Sequence, residues 1–138
     1  ARKWAGLEWS DGEYCIRLPR SNGDLIAEGR TLHHCVGSYG AAHLQGKLVL
    51  FVRHARRPER SWYTLNIDTT GRSPKRIQLH GYGNEYAHGK RLTIPQCVLD
   101  FVERWEKEIL LPVFDRVKAE EAKEKSKQLR PAKRRGAA

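Results

Sequence analysis

Three strand-like runs, separated by short loops that contain proline or glycine, constrain the fold of this chain more than any other feature. They cover residues 48–54, 61–68 and 75–81, and they are rich in apolar, aromatic and β-branched side chains. The loops between them, ARRPER and TTGRSP, have the composition of hairpin connections. Strands joined this closely are expected to form an antiparallel meander, whose apolar face needs a helix to cover it.

Helical patterns precede the meander. Residues 21–29 predict a short helix with Ser21 as its N-cap and Gly29 at the position just past its last turn. A second helix is predicted to begin after Thr31 and to run to about Leu44, because a threonine N-cap candidate is followed by helical spacing and then a glycine stop.

The C-terminal part of the chain carries the segment expected to cover the sheet. Its apolar residues recur at helical spacing, at Val98, Phe101, Val102, Trp105 and Ile109. A proline, Pro112, is expected to kink or split this helix, because it lacks the N–H and clashes with the preceding turn.

The N-terminal segment, residues 1–13, is expected to be pinned to the domain by Trp4, Leu7 and Trp9, and the run YCIRLP that follows predicts one more strand. The predicted fold class is therefore α+β, a three- to four-stranded antiparallel meander packed against two or three helices. This domain is expected to cover residues 1–117.

Half of the positive charge lies in the last part of the chain. The formal net charge is +10, and the tail at residues 118–138 holds eight Lys/Arg against three Glu, which is +5. This tail is predicted to be partly helical and partly disordered. A basic tail is typical of a protein with a polyanionic partner, and nucleic acid, DNA or RNA, is the partner expected here. The predicted phosphate contacts are Arg53, Arg56, Arg57, Arg60, Arg76, Lys133, Arg134 and Arg135, beside the aromatic Trp62, Tyr63 and Tyr82.

Composition also excludes several classes of protein. The sequence has no apolar run long enough to span a membrane, and it opens with no secretion signal. Its three cysteines, an odd number at wide spacings, do not resemble a disulfide framework. A cytoplasmic protein without a membrane partner is expected.

The stretch TLHHCVGSYG leaves three interpretations open. On a helix, Cys35 would lie on one face with Leu32 and Val36 as a small buried residue. Alternatively, Cys35 near a helix N-terminus would be a nucleophile with His34 as its base. A metal site is the third possibility, but the stretch lacks the spacers of structural zinc sites, and no metal or cofactor is predicted.

A second polar stretch, IQLHGYGN, follows the third strand of the meander. Its polar residues Gln78, His80 and Asn84 stand beside glycines, which permit a sharp turn and the close approach of a ligand. Together with Tyr39, they are the predicted ligand-binding residues. The alternative is an ordinary glycine turn.

These blocks, taken in order, resemble the PcfJ-like proteins of conjugative and other mobile elements. The pattern is EGRTLHHCVGSY, then LVLFVRH, then YTLNID, then RIQLHGYGN, and it spans about residues 21–84. His33 and the basic tail depart from it. The matching positions are Glu28, Gly29, Leu32, His34, Cys35, Val36, Tyr39, Gln78, Gly81 and Asn84. The resemblance implies a plasmid- or phage-linked protein, and it supplies no mechanism.

Three functions are compatible with the sequence. The first is a nucleic-acid-binding accessory domain of a mobile-element or phage-associated protein, which would act within a larger complex. The second is a thiol hydrolase or transferase centred on Cys35 with His34 or His80. The third is a phage inhibitor or adaptor that binds another protein through a basic surface.

Overall fold

In the computed structural model, the backbone is described at residues 2–32, 47–81 and 94–137, and side chains within these ranges are described from residue 3 to residue 128. The order of the elements confirms the predicted α+β class. They are a 3-10 helix (Arg2–Leu7), strands β1 (Trp9–Ser10) and β2 (Tyr14–Arg17), helix α1 (Asn22–Leu32), strands β3 (Lys47–His54), β4 (Tyr63–Asp68) and β5 (Lys75–His80), helix α2 (Gln96–Trp105), a π-helical turn (Glu106–Leu110) and helix α3 (Leu111–Ala137).

The five strands form one sheet in the order β1–β2–β3–β4–β5, and every neighbouring pair is antiparallel. The three predicted strands of the meander and the strand at YCIRLP are all confirmed. The sheet has one strand more than predicted, because β1 contains two residues and is too short for alternation to reveal it. Its turn into β2 passes through Gly12, whose φ of +94° lies in the left-handed region that favours glycine.

Helix α1 begins where the sequence predicts, but it ends later. The Ser21 hydroxyl accepts a hydrogen bond from the Asp24 N–H at 3.2 Å, as an N-cap does. The helix continues through Gly29 and Thr31, so both the predicted stop and the predicted second start are wrong. Its buried residues recur at helical spacing across this stretch. Burying them outweighs the roughly 1 kcal/mol that a glycine costs inside a helix. Beyond Leu32, the second predicted helix lies outside the described residues.

One side of the sheet, the apolar face, packs on the C-terminal helices. It consists of Ile16, Leu48, Leu50, Val52, Tyr63, Leu65, Ile67 and Leu79, all of them buried. The helices contribute the buried residues Val98, Phe101, Val102, Trp105, Leu110, Val113, Phe114 and Val117, with the predicted Ile109 partly buried beside them. The predicted cover of the sheet is therefore confirmed.

The N-terminal segment closes one end of this core. The fully buried Trp105 donates its Nε1–H to the Leu7 carbonyl at 2.8 Å. Trp4 and Leu7 are buried in the same core, and Trp9 stacks on Phe101 with ring centroids 5.5 Å apart. These contacts pin the segment as the sequence predicts.

The C-terminal helix changes type just before Pro112: a π-helical turn stands between α2 and α3 where the sequence predicts a kink or a split, and the backbone remains helical throughout. In the π-helical turn, the Leu111 N–H donates to the Glu106 carbonyl, five residues earlier. A proline has no N–H to continue an α-helical ladder, and its ring needs room beside the preceding turn. The wider turn accommodates both effects, and α3 then continues to Ala137.

Candidate functional site

A cationic cleft lies beside the loop between β3 and β4. Its volume is about 730 Å³. Three of its arginines, Arg56, Arg57 and Arg60, are exposed, and none of the described residues that line it is acidic. The residues that define this cleft are Leu32, His54, Arg56, Arg57, Arg60, Ser61, Trp62 and Tyr63.

Aromatic rings form one wall of the cationic cleft. The imidazole of His54, exposed at the end of β3, stacks on the half-buried indole of Trp62 with centroids 3.9 Å apart and planes at 25°. Tyr14 of β2 lies 5.6 Å from Trp62 and 5.7 Å from His54, so the three rings form a triangle. Tyr63 meets Trp62 edge-on at 5.2 Å. These contacts hold Trp62 and His54 in place without a ligand.

The loop that carries the arginines is tied down along its length. The Ala55 N–H donates to the Glu13 carbonyl at 2.9 Å, and two tight turns follow it. At the tip, the Pro58 carbonyl accepts from two guanidinium groups, at 2.8 Å from Arg53 Nη1 and at 3.1 Å from Arg17 Nη1. A loop held in this way presents its charges in a defined place.

The second face of the sheet, the polar face, lies against helix α1. Leu25 of α1 packs on its two apolar members, Val49 and Phe51. By strand register, this face includes Cys15, Arg17, Val49, Phe51, Arg53, Thr64, Asn66, Gln78 and His80.

A buried ion pair lies on the polar face. The Glu28 carboxylate, whose side chain is 0% exposed, binds Arg53 Nη2 at 2.9 Å and accepts a hydrogen bond from the Thr64 hydroxyl at 3.1 Å. The Arg53 guanidinium also lies 4.4 Å from the Phe51 ring centroid. The prediction of Arg53 as a phosphate contact is therefore corrected, because its side chain is 10% exposed and already binds a carboxylate.

The predicted phosphate contact Arg76 is also engaged within the protein. Its guanidinium forms an ion pair with Glu106 of the π-helical turn, and both side chains are about a quarter exposed. It lies opposite Ile67 in the register and therefore on the side of the sheet that faces the C-terminal helices. Among the predicted arginines with described side chains, those in the cationic cleft are Arg56, Arg57 and Arg60.

The predicted ligand residues Gln78 and His80 both lie on the polar face. His80 is opposite Thr64 and is 1% exposed, while the half-buried Gln78 is opposite Asn66. Both residues therefore lie beside β4, the strand whose Thr64 donates a hydrogen bond to Glu28. The other predicted residues of this group and of the catalytic pair, Tyr39, Asn84, His34 and Cys35, lie outside the described residues, and so the thiol-enzyme hypothesis stays a prediction. The side chains of Lys133, Arg134 and Arg135 are outside the described range as well.

Sequence reasoning misses three residues of these two sites. The sequence marks His54 only as the end of a strand, although it and Trp62 flank the arginine loop. The carboxylate of Glu28 belongs to the family pattern, which assigns it no role. Asn66 has the pattern of an alternating strand residue, and its buried Oδ1 accepts no hydrogen bond from any described residue.

Two other kinds of site are absent from the described residues. No group of three His, Cys, Asp or Glu side chains in these ranges is placed to hold a metal ion. None of the helices in the described part of the chain is both long enough and apolar enough to cross a bilayer.

Burial raises the pKa of the Cys15 thiol, which lies opposite Arg53 on the polar face.

Comparisons with known proteins give one family and one relative. The family model described as PcfJ-like protein matches residues 1–94. The uncharacterized protein Lin1253/Lin1744 of Listeria innocua serovar 6a is 40% identical over 62 residues, which cover 43% of this chain and 14% of that protein. The matched segment is thus a small part of that relative. No solved structure matches this chain significantly.

Proposed function

The chain belongs to the PcfJ-like protein family, and we propose that it is a nucleic-acid-binding accessory domain of a mobile-element or phage-associated protein. The relative that it matches is much longer than the shared segment. We therefore expect this domain to act as one part of a larger protein complex, where binding to DNA or RNA places the other parts on the nucleic acid.

The observation that carries this proposal is the cationic cleft. Phosphate oxygens are bound well by arginine, because its planar guanidinium presents a fixed fork of donors. Three exposed arginines stand there beside the exposed ring of His54 and the half-buried ring of Trp62, and the loop at residues 54–62 contains one carboxylate, Glu59, against them. Arginines and aromatic rings together are the surfaces on which nucleic acids are held without sequence readout.

The basic tail supports the same proposal. Helix α3 carries the chain from the core, which ends near Val117, into a segment whose described side chains up to residue 128 are mostly exposed. Its charge of +5, from eight Lys/Arg and three Glu, makes it a second phosphate-binding element. Exposed basic side chains on a helix cost little to desolvate, and they increase the rate of encounter with a polyanion.

Salt-dependent binding tests this function. Fluorescence anisotropy of a labelled oligonucleotide would be followed against salt for the whole chain, for a chain ending at Val117, and for the variant Arg56→Gln/Arg57→Gln/Arg60→Gln. The slope of log affinity against log salt becomes shallower by about 0.7 to 0.9 for each phosphate that the protein no longer neutralises. The triple variant should therefore flatten the slope by about 2 to 3, and the truncation should flatten it further.

A matched control separates the cleft from overall charge. The variant Arg20→Gln/Arg72→Gln/Lys107→Gln removes the same charge at three exposed positions outside the cleft. If this control weakens binding as much as the cleft variant does, the cleft is not the site. If the whole chain binds neither DNA nor RNA at low salt, the proposed function is wrong.

A further inference from the structure

The geometry of the cationic cleft points to unpaired nucleotides as its ligand: we propose that it is a single-strand site, in which one base stacks against the His54–Trp62 wall while the arginines hold the neighbouring phosphates. This inference rests on the proposed function and names the substrate class of the same site.

Two rings of the aromatic wall, His54 and Trp62, are stacked on each other and line the cleft, so a base would stack on the outside of this pair. His54 lines the cleft while exposed, although a neighbouring ring lies only 3.9 Å away. Trp62 is half-buried and fixed by Tyr14 and Tyr63, so its indole keeps one orientation. A planar surface that is exposed and already oriented binds another ring with little further loss of side-chain freedom.

Only an unpaired base can use such a wall. In an undistorted duplex each base is covered by its neighbours above and below, and a side chain reaches base edges and phosphates but no base face. Stacking on protein rings is therefore typical of proteins that bind single strands, and it is tolerant of sequence because every base has a flat face. A site for duplex backbone alone would need the arginines and would make no use of stacked rings.

The size and charge of the cleft agree with this ligand. Its volume of about 730 Å³ is within the range of about 300–1,000 Å³ that holds small organic ligands. One wall is the apolar side chain of Leu32, at the end of helix α1, and the arginines supply the positive charge. A nucleotide has this same division into a flat, weakly polar base and a charged phosphate.

The test compares three labelled probes with the full chain. They are a short oligothymidylate strand, the same strand with abasic sites in place of its bases, and a hairpin duplex with the same number of phosphates. The abasic strand keeps the charge and removes the ring faces. We expect the intact strand to bind about tenfold or more tighter than the abasic strand, since stacking contributes strongly for each base.

Variants of the wall then identify the surface responsible. His54→Leu removes an exposed ring and is not expected to unfold the domain, and it should reduce the ratio between intact and abasic strands several-fold. His54→Phe restores a flat ring and should restore the ratio. Trp62→Leu should reduce it further, with a thermal melt to confirm folding. The cleft variant Arg56→Gln/Arg57→Gln/Arg60→Gln should weaken both strands equally and leave the ratio unchanged.

The possible results separate the two proposals. Binding to none of these probes and to none of their RNA counterparts would remove the proposed function itself. Binding that is equal for intact and abasic strands, or tighter for the duplex, would overturn the single-strand site and leave the phosphate-binding function standing. A ratio that His54→Leu leaves unchanged would also overturn it, because the stacking would then occur elsewhere.

Discussion

The two faces of the sheet are made from the same strands and stabilised in different ways. The core of the apolar face meets α2, the π-helical turn and α3 through uncharged side chains that are at most a few per cent exposed, and the half-buried Arg76–Glu106 ion pair lies on the same side of the sheet. The polar face meets α1 across a carboxylate, a guanidinium and a hydroxyl. Alternation along β3 and β4 sends one set of residues to each side.

The apolar face contributes stability to the fold, whereas the polar face fixes the positions of particular groups. Apolar packing is proportional to the area removed from water and has little direction, so it provides stability. A buried ion pair loses about as much hydration as it gains in attraction, and it adds little net stability. It does define where its groups lie. On the polar face, the Glu28–Arg53 pair leads directly to the Pro58 carbonyl at the tip of the arginine loop. We infer that the polar face contributes geometry for the cationic cleft.

The largest expected effect is on the apolar face. Trp105→Ala should lower the free energy of unfolding by about 3–5 kcal/mol, because it leaves a cavity at the centre of the core. A domain with a total stability of about 5–15 kcal/mol would then be close to unfolding at ordinary temperatures. Urea denaturation followed by circular dichroism measures this.

Trp105→Phe is the control, because it keeps most of the ring and loses the hydrogen bond to the Leu7 carbonyl. It should cost clearly less than alanine. If both variants melt within a degree or two of the parent, helix α2 is not packed on the sheet as described.

The next largest effect is expected from a substitution that breaks the ion pair on the polar face. Glu28→Leu leaves Arg53 charged and buried without its carboxylate, and it should cost about 3–5 kcal/mol. The double variant Glu28→Leu/Arg53→Met removes both charges and should be more stable than the single variant. Denaturation of the parent, of Glu28→Leu, of Arg53→Met and of the double variant gives the coupling energy of the pair. A double variant that loses as much stability relative to the parent as Glu28→Leu does would show that the pair, like the apolar face, holds the fold together.

A smaller effect is expected from the hydroxyl that completes this network. Thr64→Val keeps the shape of the side chain and removes a hydrogen bond to the buried Glu28 carboxylate, which should cost about 1.5–3 kcal/mol. Thr70→Val is a matched control, since its hydroxyl also donates to a carboxylate, that of Asp68, but on the surface. Thermal denaturation should show the control to be the milder of the two. Equal shifts would mean that burial of the network adds nothing.

The smallest effect is expected outside both faces. The ion pair between Lys3 and Glu121 joins the N-terminal segment to α3 at 3.0 Å, and its side chains are 55% and 43% exposed. Lys3→Ala should therefore change stability by less than about 1 kcal/mol, with a further decrease of the effect in high salt. Chemical denaturation at two salt concentrations would check this. A loss comparable to that of Glu28→Leu would contradict the distinction between buried and exposed pairs.

The apolar face could be predicted from the sequence in large part. Strand β4 alternates and the covering helix shows a stripe from Val98 to Trp105, because both patterns follow directly from backbone geometry. Strand β3 is apolar on both faces, and an irregularity in the β4–β5 register leaves Ile77 exposed, so alternation alone did not assign these two strands. Local rules failed where tertiary contacts oppose them. Gly29 has the character of a helix stop, yet it lies inside α1, where its neighbours are buried against the sheet.

The candidate site was less predictable, since it depends on distances between segments. Arginine in a loop next to strands predicted a cationic surface, and Arg56, Arg57 and Arg60 are on it. The same composition could not distinguish Arg53, which alternation turns inward towards Glu28. The role of a charged side chain thus followed from its partner, 25 residues away in the chain.

The π-helical turn also sets the number of residues between the two buried stripes of the C-terminal helices. The buried pattern Val98, Phe101, Val102, Trp105 is repeated as Leu110, Val113, Phe114, Val117, an offset of twelve residues. In an unbroken α-helix, twelve residues would rotate the second stripe by about 120° away from the sheet, whereas eleven would rotate it by only about 20°. The wider turn absorbs the additional residue and restores the phase. This position therefore has the form of a one-residue insertion, and a related chain with a regular helix here should be one residue shorter between the two stripes.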